Sequence, residues 1–225
     1  MTVSEAIDSR ISVRAYTDEP VPRETVERIL AAAGRSPSGG NLQPWQVYVL
    51  MDEALAAFKA GLAERQRGKP FGETPLFHVY PPKLHEPYRT RRFECGEDLY
   101  ATLGIPREDK AGRMRQFAGN FDFFGAPVAL FFAIDKRMDR NQWAHLGMFM
   151  QSVMLLAREA GLDTCPQECW AIWPSYVAEF VGMDEALMPY CGMALGHRDP
   201  DAPVNALRTR RAPLADYARF VEVPA

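Results

Sequence analysis

The chain has 225 residues, 47% hydrophobic, 24% charged and 11% aromatic, and its 26 basic and 29 acidic residues leave a net charge of -3. A chain of this size can bury about 70–75% of its unfolded surface, so it needs no staples to build a core. The balance excludes a polybasic nucleic-acid binder, and no apolar run approaches the ~18 residues of a membrane-spanning helix.

Val3 to Arg10 reads as a short helix with Val3, Ala6 and Ile7 on one face. The opening decapeptide lacks a basic start and an apolar core, so no secretory leader is expected. A second helix opens at Val21-Pro22, carries Val26, Ile29, Leu30 and Ala33 as its stripe, and stops at Gly34. After the loop Ser36–Asn41, Gln46 to Met51 alternates as a strand, and Asp52 is the expected N-cap of a helix through Leu55, Phe58 and Leu62. Residues 70–120 are rich in proline, aromatics and arginine and read as an excursion with short helices near Leu99 and Arg113. Pro127 to Ile134 is a continuous apolar run, the mark of a central strand covered on both faces.

Asn141 to Ala160 reads as a long helix, apolar almost all round from Leu146 to Ala157, so it requires cover on every side. A second subunit is one source of that cover. Pro174 to Val181 is a short helix closed by Gly182, and Pro189 to Gly196 a further strand. The pattern is that of one α+β domain over residues 1–225. Cys95, Cys165, Cys169 and Cys191 form no disulfide framework, which points to a reducing cytoplasm. His78, His85, His145 and His197 are scattered, and no metal site is expected.

Three polar clusters carry the candidate chemistry. Arg10, Ser12 and Arg14 alternate, so an extended backbone puts them on one side, suited to a phosphate; a solvated edge would look the same. Ser36-Pro-Ser-Gly-Gly-Asn-Leu-Gln-Pro-Trp45 would let backbone approach a ligand closely, and is equally an ordinary turn. It is neither a Walker loop nor a dinucleotide fingerprint, because Gly-Lys-Ser/Thr and G-x-G-x-x-G are both absent. The third is Asn205-Ala-Leu-Arg208-Thr-Arg210-Arg211.

Taken in order, these clusters resemble the FMN-dependent nitroreductase family, in its nitrobenzoate-reductase-like branch. The landmarks are Arg10-x-Ser12-x-Arg14 with Tyr16, Pro37-Ser38-x-x-Asn41-x-Gln43-Pro44-Trp45, Gly161–Glu168, Gly192–Gly196, and Pro203-Val-Asn205 with Arg208-Thr-Arg210. The resemblance implies a nitroreductase-like α+β fold, with a mostly antiparallel central sheet flanked by helices in an intertwined homodimer. It implies that Arg10, Ser12 and Arg208 hold the FMN phosphate, that Arg210 adds to that pocket, and that Arg14 meets the pyrimidine end of the ring. Pro37, Ser38, Gly39 and Asn41 would approach the flavin of the other subunit. Pro166, Gln167 and Glu168 would pass along its face and edge, with the Glu168 backbone N–H near N5.

No side chain is expected to act as a nucleophile. NADH or NADPH would give hydride to flavin N5, and an electron-poor aromatic acceptor would then collect the electrons in ping-pong turnover. Tyr88, Arg91, Arg92, Phe123 and Phe124 in and after the excursion are the acceptor candidates, with an arginine suited to an acidic nitroaromatic. Each of these is also readable as solvated surface or core. Cys165 and Cys169 read as packing thiols. The alternatives keep the flavin: a quinone, activated alkene or halogenated phenol as acceptor, or a flavin-binding protein without turnover.

Overall fold

A computed structural model describes residues 1–223. Its frame is a four-stranded antiparallel sheet in the order β1-β2-β4-β3, formed by β1 (Gln46–Met51), β2 (Val128–Asp135), β3 (Asp163–Gln167) and β4 (Leu187–Gly196). β2 lies second in the sheet, and its side chains alternate between two cores. Val128, Leu130, Phe132 and Ile134 pack with α2 (Arg23–Ala33) and α6 (Arg140–Glu159). Ala129 and Phe131 face α3 (Asp52–Gly68) and α7 (Pro174–Val181), in a core dominated by Phe58, Phe123, Trp170, Trp173 and Tyr176. Burial on both faces explains why β2 is continuously apolar in sequence.

The helices follow their periodicity, with informative departures. α1 (Val3–Ser9) begins with a capping box, in which the Glu5 N–H donates to Thr2 Oγ1 and the Thr2 N–H to Glu5. Only Ala6 of its expected apolar face is buried, whereas Val3 and Ile7 are 71% and 51% exposed. Asp52 does not cap α3: β1 runs straight into the helix, and Asp52 makes the turn itself at φ 49°. The excursion holds two helices, α4 (Tyr88–Thr102) and α5 (Lys110–Ala118), and α4 is longer than its irregular pattern suggests. α6 buries Leu146, Phe149, Met150, Val153, Met154 and Ala157, and leaves Gly147 and Met148 on an uncovered face.

β3 has no strand-like sequence, because Pro166 interrupts it. At the sheet edge the missing N–H is tolerated. Pro189 sits inside β4, at the point where the β2–β4 register shifts. An extended ribbon, residues 10–17, runs beside β3: Ser12 bridges Thr164, the Val13 N–H donates to the Thr164 carbonyl at 3.1 Å, and Thr17 N–H to His197 at 2.9 Å.

One buried carboxylate locks this edge. Asp163, with 3% of its side chain exposed, accepts from Arg158 Nη1 at 2.9 Å and from Arg198 Nε and Nη2 at 2.8 and 2.9 Å. Arg158 also reaches the Leu162 carbonyl and Ser9 Oγ. The triad joins α1, α6, β3 and the segment after β4. Asp163→Ala strands two guanidiniums, Arg158 nearly buried among them, and is expected to destabilise the fold by about 3–5 kcal/mol in urea denaturation.

Candidate functional site

The ribbon, α4 and the C-terminal strap of residues 207–217 line a cavity of about 1050 Å³, just above the ~300–1,000 Å³ of most small-molecule sites. Arg10, Ser12, Arg14, Arg91, Arg208 and Arg210 all line it. The alternation of Arg10, Ser12 and Arg14 has the expected effect because the ribbon is extended and pinned. Buried Asn205 accepts the Arg14 N–H at 2.9 Å and donates to the carbonyls of Ala15 and Asp199 at 2.8 and 2.9 Å.

The charges in this cavity are unbalanced. Among the described residues, Arg10, Arg14, Arg208 and Arg211 have no carboxylate partner. Arg14 donates to the Ser12 carbonyl at 3.3 Å, and Arg208 to those of Asn205 and Leu207 at 3.0 and 3.1 Å. Burial, then repulsion from Arg211, draws the Arg10 pKa below the ordinary arginine value. Clustered guanidiniums without counter-ions fit a multiply charged anion such as a phosphate. Arg211 belongs to the third polar cluster in sequence but is given no role by the resemblance, and the structure puts it on the cavity wall.

Arg210 is on the same wall but has counter-ions there, Asp98 at 3.1 Å and Glu94 at 3.5 Å on α4. Arg91 is tied to Asp216 of the strap at 3.2 Å. Arg92 is not on the cavity wall, and stacks over the Tyr80 ring at 4.1 Å. Tyr88 is 53% exposed, its ring edge-on to His85. Phe123 is fully buried against Phe58, Phe131 and Trp170, so it is a core residue and touches no substrate. Phe124 is half-buried beside it.

Pro37, Ser38, Gly39 and Asn41 lie away from this cavity. Ser38 Oγ accepts the Gln43 N–H at 2.9 Å, and Gly39 abuts the His145 ring, where a Cβ would meet Cε1 at 3.2 Å. Gly40, Asn41 and Gln43 all have positive φ, and the two non-glycine residues are held in an unfavourable region on an exposed loop. Pro166 and Gln167 end β3, and Glu168 opens the 3-10 turn that follows. Glu168 lines a smaller cavity of about 210 Å³ with Phe77, Trp143 and Tyr190. Its carboxyl is at the surface, yet crowding there raises its pKa through desolvation. The Gln167 side chain turns inward, away from both cavities.

All four thiols are free. Burial raises Cys165 to about 11 and Cys191 to about 12, and lifts Cys169 strongly as well. The fold is α+β, and its arginine-lined cavity beside the antiparallel sheet is suited to an anion.

The chain belongs to the nitroreductase family, whose model matches residues 7–197. It is 39% identical over 217 residues to the 4-nitrobenzoate reductase of Pseudomonas putida, covering 96% of this chain and 93% of that one. It is 36% identical to the chloronitrobenzene nitroreductase of Comamonas testosteroni, covering 97% and 96%. Among solved structures it superimposes on the FMN and NADPH-dependent nitroreductase NfnB from Sphigopyxis sp. strain HMH with a TM-score of 0.95, at 45% identity, covering 99% and 100%. The FMN-dependent NfnB from Mycobacterium smegmatis, solved in complex with NADPH, gives 0.92 at 28% identity, covering 98% of each chain.

The thiol assignment has a direct check. In the folded protein at pH 8 a disulfide-exchange reagent is expected to titrate Cys95 alone, and after unfolding all four thiols. Fast reaction of a second thiol would contradict the burial of Cys165 and Cys191 or the shielding of half-buried Cys169.

Proposed function

We propose that the protein is an FMN-dependent oxidoreductase that passes reducing equivalents from NADPH to a nitroaromatic acceptor. The observation that carries this is the set of counter-ion-free arginines around a cavity large enough for a nucleotide. Nitroreductase activity in relatives matched along nearly their whole length supports it.

Flavin, when bound, supplies the hydride and electron steps at N5. The chain's own residues bind, orient and tune. Arg10, Ser12 and Arg208 hold the phosphate, joined by Arg211 and by Arg210 when it leaves Asp98. Arg14 stands on the same ribbon and stabilises negative charge at the pyrimidine end. By the family resemblance, Pro166, Gln167 through its backbone, and Glu168 through its N–H would hold the ring.

The active unit is a homodimer. The uncovered faces of α1 and α6, and the strained loop carrying Pro37, Ser38, Gly39 and Asn41, support a second chain that brings this loop to the neighbouring flavin. Residues 1–225 act as one domain whose excursion at 70–120 borders the acceptor site. Free thiols fit a reducing, cytoplasmic setting. Arg91, on the cavity wall, is the residue best placed for an acidic substituent.

Purified protein is expected to be yellow, to bleach anaerobically with NADPH, and to recolour with nitrobenzene. A protein that cannot be loaded with FMN would overturn the reading. Arg208→Ala is expected to weaken FMN binding about tenfold or more, measured by recovery of flavin fluorescence, and unchanged affinity would remove Arg208 from the site. If Arg91 reads an acid, 4-nitrobenzoate will show a lower KM than nitrobenzene, and Arg91→Ala will abolish the difference.

A further inference from the structure

The loop Ser36–Trp45 carries no ionisable side chain, so shape and hydrogen bonding place it. Part of its bonding is internal. The Asn41 N–H donates to the Ser38 carbonyl at 2.9 Å, the Leu42 N–H to the Gly39 carbonyl at 3.3 Å, and the Gln43 N–H to Ser38 Oγ. Yet Asn41 and Gln43 sit at φ of 55° and 48°, and both are exposed. Non-glycine residues stay in the left-handed region only where contacts over-determine them.

Those contacts come from α6. His145, Phe149 and Ser152 follow one another at four and three residues, which puts them on one helix face. Each meets the loop at a different point. At its start, Ser36 Oγ and Ser152 Oγ are hydrogen-bonded at 2.7 Å, and Ser36 is buried. At its end, Trp45 stacks on buried Phe149 with centroids 4.8 Å apart and planes 11° from parallel. Between them the Gly39 N–H turns out of the loop and donates to His145 Nε2 at 3.4 Å. Nε2 is thereby the acceptor nitrogen of the ring, and Nδ1 is buried without a partner. The same helix reaches the arginine cavity through Gln151, beside Ser152, and pins the ribbon through Arg158. α6 thus refers the loop and the cavity to one rigid element.

We infer that His145 is a positioning residue: its Nε2, with Phe149 and Ser152 on the same face of α6, holds the loop Ser36–Trp45 in the shape it presents to the neighbouring flavin. The consequence for flavin rests on the homodimer reading above. The restraint on the loop stands without it.

His145→Phe keeps a ring and removes the acceptor, whereas His145→Gln returns an acceptor oxygen on a flexible chain. His145→Phe is expected to raise the FMN dissociation constant about fivefold, and His145→Gln to stay within about twofold of wild type, both with the wild-type oligomeric state in sedimentation. An unchanged constant in His145→Phe, an equal rise in His145→Gln, or a rise that accompanies dissociation of the assembly would each overturn the inference. Hydrogen exchange on flavin-free protein tests the restraint separately. His145→Phe should speed exchange at Gly39 and at Asn41–Gln43 about fivefold while β2 stays unchanged, and protection equal to wild type overturns the restraint. Faster exchange with unchanged FMN affinity overturns the role at the flavin alone. Wild-type protein that binds no FMN would refute the function and that role together, leaving exchange to decide the restraint. Should His145→Phe fail to fold, Ser152→Ala, which removes the Ser36 contact, should give the same rise in FMN dissociation constant and the same faster exchange.

Discussion

The arginine cavity depends on a carboxylate that never enters it. Asp163 is buried between Arg158 and Arg198, and the cost of burying three charges is offset only because every one is paired and hydrogen-bonded. What the triad secures is geometry. Arg158 comes from α6, Asp163 opens β3, Arg198 lies just beyond β4, and Ser9 is the last residue of α1. The ribbon of Arg10, Ser12 and Arg14 begins where α1 ends and runs beside β3, so its position is fixed from both directions. Asn205 adds the third restraint by gripping the Arg14 and Ala15 backbone. A scaffold of satisfied charges thus presents an unsatisfied set, which is how a rigid anion site is built.

The two faces of the sheet divide the work. The α2–α6 side is aliphatic and continues to an uncovered surface on α6. The α3–α7 side is a dense aromatic packing around Phe58, whose neighbours Phe123, Phe131, Trp170 and Tyr176 lie 5.0–6.1 Å away. Rings in tilted and edge-on contact resist rearrangement, so this side can hold the left-handed backbone at Phe123 and Phe124.

Much of this could be read from the residues. The boundaries of β1 and α7 follow from their patterns without adjustment, and the apolar run at Pro127–Ile134 is the two-sided strand it resembles. The alternation at Arg10, Ser12 and Arg14 was informative because it needed only an extended backbone to converge. What was hidden depended on long-range contacts. Pro166 disguised β3, whose place at the edge makes proline harmless. Phe123 looked available for a ligand, but the left-handed backbone turns its ring into the core. The resemblance picks out Arg210 over its neighbour Arg211, yet it is Arg210 whose charge is met by Glu94 and Asp98, more than a hundred residues earlier.

The strap that closes the cavity is held to α4 by Arg210 with Glu94 and Asp98, and by Arg91 with Asp216. These pairs are open to solvent, and such pairs contribute roughly 0–1 kcal/mol each and weaken in salt. The strap is therefore the least firmly attached part of the enclosure. The two sides of the cavity are thus held by opposite means: the ribbon by buried pairs that salt barely reaches, the strap by exposed ones that salt weakens.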